Sequence, residues 1–228
     1  MSDRTALIIG ASRGIGLGLA QELAGRGWHV FASQRAPSAA LEQAAAASGG
    51  RIEVVAADVT DGASIDALAR RIGAGSLDVA LVNAGIMGSP DQSAETATAD
   101  EVTEIMMTNA VGPARAGKVL LPLIRDGGTL AFTTSRMGSI AESSGGYDLY
   151  RMSKAAQNIL ARGISEQAAK ARGIAVLSVH PGWVQTDMGG STATLTIAQS
   201  VRGVADVLEA EHPTEHRFLA FDGREIAW

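Results

Sequence analysis

The chain has 228 residues, 46% hydrophobic and 19% charged, a balance that supports one well-buried α/β domain and excludes disorder as its overall state. Its net charge is −5 and no stretch concentrates Lys or Arg, which argues against a nucleic-acid backbone binder and against a basic membrane anchor. There is no Cys, and the four His (His29, His180, His212, His216) lack ligand spacing, so disulfides, thiol catalysis and a metal site are not expected.

The N-terminal apolar run Ala6–Ile9 is too short for a signal core or a membrane span, and a soluble cytoplasmic protein is expected. That run is the first predicted strand. In chain order there follow strands at His29–Ser33, Ile52–Ala56, Asp78–Val82, Thr129–Thr133, Ala175–His180 and Arg217–Phe221. Between them the pattern predicts helices over Gly14–Arg26, Ala39–Ala47, Ser64–Ile72, Asp100–Leu121, Tyr150–Ala171 and Thr196–Glu209. Apolar strands alternating with helices mean a parallel sheet covered on both faces. No linker or repeat interrupts the pattern, so residues 1–228 read as a single doubly wound α/β domain.

Gly10-Ala11-Ser12-Arg13-Gly14-Ile15-Gly16 follows the first strand and opens the first helix. Glycines there permit a tight turn and let a pyrophosphate approach the unpaired N–H groups of a helix N-terminus. The spacing is Gly-x-x-x-Gly-x-Gly rather than the commoner dinucleotide fingerprint. Its place after an N-terminal strand favours nucleotide binding over a plain turn. Farther on, Tyr150 and Lys154 stand four residues apart on one helical face. A free phenol titrates at about 10. A cation about 4 Å away, at an effective dielectric of about 20, contributes about 4 kcal/mol. That equals roughly three pKa units, enough to make tyrosine a general acid or base near neutrality. The alternative is a solvated helix face.

Six motifs in order, Gly10–Gly16, Asn83-Ala84-Gly85, Asn109, Ser135, Tyr150-x-x-x-Lys154 and Pro181-Gly182, resemble the short-chain dehydrogenase/reductase family over nearly the whole chain. The short length and the ending Phe221–Trp228 are similar to its C-factor-like branch, near the small carbonyl reductases. The resemblance implies a Rossmann-type fold and a catalytic quartet. Tyr150 would pass the proton to or from the substrate oxygen. Lys154 would lower the phenol's pKa and bind the nicotinamide ribose, Ser135 would polarise the oxygen, and Asn109 would hold a relay water. Ser135 lies slightly farther before Tyr150 than is usual, which leaves Ser139, Ser143 and Ser144 as rivals. Asn83 could instead cap a strand end, and Asn109 could make a merely local bond.

In NAD enzymes an acidic residue closes the second strand. Gln34 stands in that place, followed by Arg35, with Arg13 inside the glycine turn, so NADP(H) is favoured and NAD(H) is the other candidate. Arg35 as a solvent-facing charge is the plainer reading. Asp58, with Val59 beside it, resembles the family's adenine-binding aspartate, or else caps the next turn. Val184 and Thr186 complete the nucleotide set expected from Gly10, Ser12, Gly14, Ile15, Gly16, Asn83, Ala84, Gly85, Pro181 and Gly182. Ile86, Met87, Arg136, Met137, Tyr147, Trp183 and Met188 should line a mainly apolar pocket, under a mobile flap between Pro181 and Thr196. A small hydrophobic ketone or aldehyde fits best. An NAD(P)-linked alcohol or diol dehydrogenase and a non-catalytic nucleotide-binding signalling module are the alternatives. Small residues on the two long helices permit close packing, and the resemblance, to a family that often pairs these helices between subunits, implies a homodimer or homotetramer.

Overall fold

The computed structural model describes residues 4–89 and 91–228. Seven strands form one sheet: β1 (Thr5–Ile9), β2 (His29–Gln34), β3 (Ile52–Ala56), β4 (Leu77–Val82), β5 (Ile124–Thr133), β6 (Ala175–His180) and β7 (Arg217–Ala220). Their order is β3-β2-β1-β4-β5-β6-β7 and every pairing is parallel. The order reverses between β1 and β4, which places a crevice at the carboxyl ends of those strands. β5 begins five residues earlier than its apolar core suggests, because the exposed Arg125–Gly127 stretch reads as a loop.

Helices cover both faces, as the unbroken apolar strands require. Alternate residues of β1 divide the core: Ala6 and Ile8 pack with Leu19, Leu23 and Val204, whereas Leu7 and Ile9 pack with Ile65, Leu120 and Ile164. The first group seats α1 (Gly14–Gly25), α2 (Ala39–Ala47) and α7 (Ile197–Glu209) on one side. The second seats α3 (Gly62–Ile72), α5 (Gly112–Leu120) and α6 (Asp148–Ile164) on the other.

The helix expected over Asp100–Leu121 is divided. α4 (Ala99–Met106) passes into a wide π turn at Met107–Val111 before α5. Pro113 opens α5 without an N–H to give to the preceding turn, which accounts for the break in the ordinary ladder. The consequence is local: Asn109 sits in the wide turn, fully buried and turned toward the carboxyl end of β4.

Candidate active site

The glycine turn is shaped by close backbone contact. A Cβ on Gly16 would lie 2.1 Å from the Gly10 carbonyl oxygen, so no side chain fits there. Arg13 precedes α1 with no side-chain cap, in contrast to Ser38, Asp61, Thr98 and Thr196 before four other helices. The first-turn amides of Gly14, Ile15 and Gly16 therefore stay open to an anion, and Thr186 approaches Gly14 from across the crevice. An uncapped helix start behind a turn with no room for a side chain suits the pyrophosphate of a dinucleotide. Ser12 is fixed through its carbonyl, which accepts from the Ser38 hydroxyl at 2.7 Å.

Asn83 is a strand-end clamp. Its Nδ2 donates to the Gly10 carbonyl at 3.0 Å and its Oδ1 accepts from the Thr133 hydroxyl at 2.9 Å, tying β1, β4 and β5 together. Ala84 touches Gly10, and Gly85 faces both Asn109 and Lys154. Asn109 grips the loop after β4 twice, accepting from Ile86 N and donating to Ile86 O, each at 2.8 Å. It also donates to the Ser153 hydroxyl, which in turn donates to the Tyr150 carbonyl. Tyr150 and Lys154 from α6, Ser135 from the end of β5 and Asn109 from the wide turn are thus gathered from three parts of the chain, all buried.

Ser135 is the serine beside the phenol, near enough for its hydroxyl to favour the phenolate. The rival serines turn away: Ser139 binds Glu142 N, Ser144 binds Arg151, and Ser143 is exposed. The expectation that Lys154 brings Tyr150 near neutrality meets an opposing force, since burial raises the phenol's pKa. The ammonium lies 5.8 Å from the ring centroid and donates to Thr133 O at 3.0 Å and Gln157 Oε1 at 3.1 Å. Burial dominates both groups, pushing the phenol up to about 12 and the ammonium down to about 7.

At the end of β2, Gln34 bridges two neighbours, donating to Glu42 and accepting from Ser38 N, both at 2.8 Å. A carboxylate therefore does stand near this end of the crevice, on Glu42 rather than at the strand end. Arg35 is exposed and has no ion pair among the described residues. Arg13 lies on Asp187 at 2.9 Å rather than beside Arg35, with both side chains 79% exposed. Asp58 caps its turn through Thr60, as the plainer reading held, with Val59 buried behind it.

The 182–196 segment, expected as a flap, carries hydrogen bonds of its own. Val184 pairs with Leu195, Gln185 donates to Ala193 O, and Trp183 donates to Gly189 O at 2.8 Å. Ile86, Met87 and Met137 pack with Tyr150, as expected of a pocket wall, whereas Tyr147, Trp183 and Met188 are about half exposed. Tyr147 is the one described non-glycine residue with positive φ, 54°, a strained conformation immediately before α6. Arg151 pins that bend through the Gly145 and Gly146 carbonyls.

Two residues escape sequence reading. Gln92, buried at 4%, accepts from Tyr150 N at 2.6 Å and supplies the cap that α6 lacks locally; nothing 58 residues away in sequence signals this. Gln157 could have been found, since it lies one helical turn beyond Lys154 on the same face.

Comparison with known proteins agrees with this arrangement. The family model described as short chain dehydrogenase matches residues 4–195. C-signal of Myxococcus xanthus is 41% identical over 167 residues, covering 71% of this chain and 99% of that protein. A short-chain dehydrogenase/reductase from Burkholderia multivorans, solved with bound NADP, superposes with a TM-score of 0.94 at 35% identity, covering 99% of this chain and 100% of the other. A carbonyl reductase from Pseudomonas aeruginosa PAO1 in complex with NADP gives a TM-score of 0.91 at 35% identity, with full coverage of both chains. The chain belongs to the short-chain dehydrogenase family and is an NAD(P)H-dependent oxidoreductase.

Proposed function

We propose that the protein reduces a small hydrophobic ketone or aldehyde to its alcohol with NADPH, Tyr150 acting as the proton donor. The observation that carries the reading is the buried Tyr150 hydroxyl beside Ser135, at the carboxyl ends of the central strands. Burial keeps the phenol protonated at neutral pH, the form that can give its proton to a carbonyl oxygen. Bound nicotinamide supplies the hydride. Ser135 holds and polarises the carbonyl oxygen, and Lys154 stabilises the phenolate left after donation. Asn109 keeps the loop carrying Gly85 and Ile86 in place and supports the relay behind Lys154.

Arg35, exposed and without an ion pair among the described residues, is the group we assign to the 2′-phosphate. The Arg13–Asp187 pair is worth about 0–1 kcal/mol at that exposure, little enough for Arg13 to leave it for a phosphate. NADP relatives at 35% identity support the same choice. We further propose a homodimer or homotetramer built on α5 and α6, where Met152, Ile159 and Leu160 are exposed. The test of function is NADPH oxidation, followed by nicotinamide absorbance, against a panel of aliphatic and aromatic carbonyls. Saturable turnover of apolar members is expected; no turnover of any member overturns the reading.

A further inference from the structure

Lys154 is only 3% exposed, and no carboxylate pairs with it among the described residues. Neutral oxygens hold it instead, Thr133 O from β5 and Oε1 of Gln157 from its own helix. The elements around it present Gly85, Asn109, Thr133 and Gly138, none of which titrates, and the titratable side chain facing it is Tyr150. An ammonium has three donors, so two are occupied and one remains.

Gln157 is 1% exposed, and its Nε2 has no hydrogen-bond partner among the described residues. A buried amide nitrogen left unpaired is destabilising, and an apolar side chain at the same helical position would avoid that cost. The carboxamide makes one hydrogen bond, and that bond is to Lys154. Because an ammonium only donates, the contacting atom must be the carbonyl oxygen. A carbonyl dipole aimed at a buried cation favours its charged form and fixes the direction of its remaining N–H.

We propose that Gln157 is a positioning residue for Lys154: its carbonyl oxygen keeps the buried lysine charged and aims the free donor toward the nucleotide crevice. Only the turnover arm of its test rests on the reductase reading above. Removing the acceptor should make Lys154 release its proton more readily, and a carboxylate in its place should do the reverse.

The chain has only three lysines, Lys118, Lys154 and Lys170, so the side-chain resonances of an isotope-labelled sample can be assigned and titrated one by one. Gln157→Met keeps the volume and removes both the acceptor and the unpaired nitrogen. It should lower the Lys154 titration by about one pH unit, a roughly tenfold weaker hold on the proton. Gln157→Glu should raise it by at least as much, and the alkaline limb of kcat/KM should move in the same direction in each variant. If Lys154 titrates at the same pH in all three proteins, the proposal is overturned. If Gln157→Met does not fold, Gln157→Glu decides alone, and no rise overturns the proposal. If the titrations shift as expected while no form of the protein reduces a carbonyl, the positioning role stands and the reductase reading falls.

Discussion

Replacing Lys154 by Met should abolish one component of the protein's pH-dependent stability. In the folded chain, burial pulls the ammonium from 10.5 down to about 7. Above 10.5 both states are neutral there and nothing is lost. Between about 7 and 10.5 the unfolded chain carries a proton that the folded chain does not, so stability falls as pH falls across this window, by about 1.4 kcal/mol per pH unit. Below 7 both states are protonated and the full penalty, about 4–5 kcal/mol, remains. From pH 6 to pH 9 the wild-type protein should therefore gain about 3 kcal/mol that the Met variant does not. His180 and His216, both pulled down from 6.5 to about 4 by burial, change their contributions between those values and so still contribute at pH 6, whereas Tyr150 begins its own only above this range. These groups are common to both proteins and cancel in the difference. The carbonyls of Thr133 and Gln157 lose their donor in the variant, a cost of about 1–3 kcal/mol each that does not vary with pH. Urea unfolding at pH 6, 7, 8 and 9 measures the difference directly. Parallel stability curves would refute the claim that Lys154 is charged at a cost.

Tyr150→Phe keeps the ring and removes the proton donor, so NADPH should still bind while kcat falls by about 10²–10⁴ in the carbonyl assay. NADPH should bind roughly tenfold or more tightly than NADH at low salt by fluorescence titration; Gln34→Asp with Arg35→Ala should turn the preference toward NADH. Gly16→Ala forces a methyl group into the Gly10 carbonyl, and should cost both thermal stability and nucleotide affinity, read by melting with and without NADPH. Sedimentation at micromolar concentration should show a dimer or tetramer, and Ile159→Glu should shift it toward monomer.

The strands were legible because parallel strands buried on both faces are continuous apolar runs, and β1, β3 and β6 stand within a residue of where such runs lie. β5 was read short because its first half is exposed and carries Arg125, Asp126 and Gly127. The wide turn at Asn109 escaped periodicity, which carries no sign of a single added residue, although Pro113 was a clue. In the site, the glycine turn and the Tyr150–Lys154 pair were legible through local spacing. The electrostatic sign at Tyr150 was not, since spacing puts two residues on one face but does not say that the lysine turns to Thr133 O. Gln92 and the Gln34–Glu42 contact depend on side chains meeting across loops or turns, which no local pattern records.

The clamp made by Asn83 bears on how mutagenesis of this enzyme should be interpreted. One carboxamide joins the nucleotide turn, through the Gly10 carbonyl, to β5, whose Thr133 carbonyl receives Lys154. A variant at Asn83 would lose activity through the scaffold, because the nucleotide turn and β5 would lose their common fastener. An activity screen alone would score Asn83 and Tyr150 alike. Measuring soluble yield and melting temperature beside turnover separates them: an Asn83 variant fails as a scaffold, while Tyr150→Phe remains a well-folded protein that has lost only its proton.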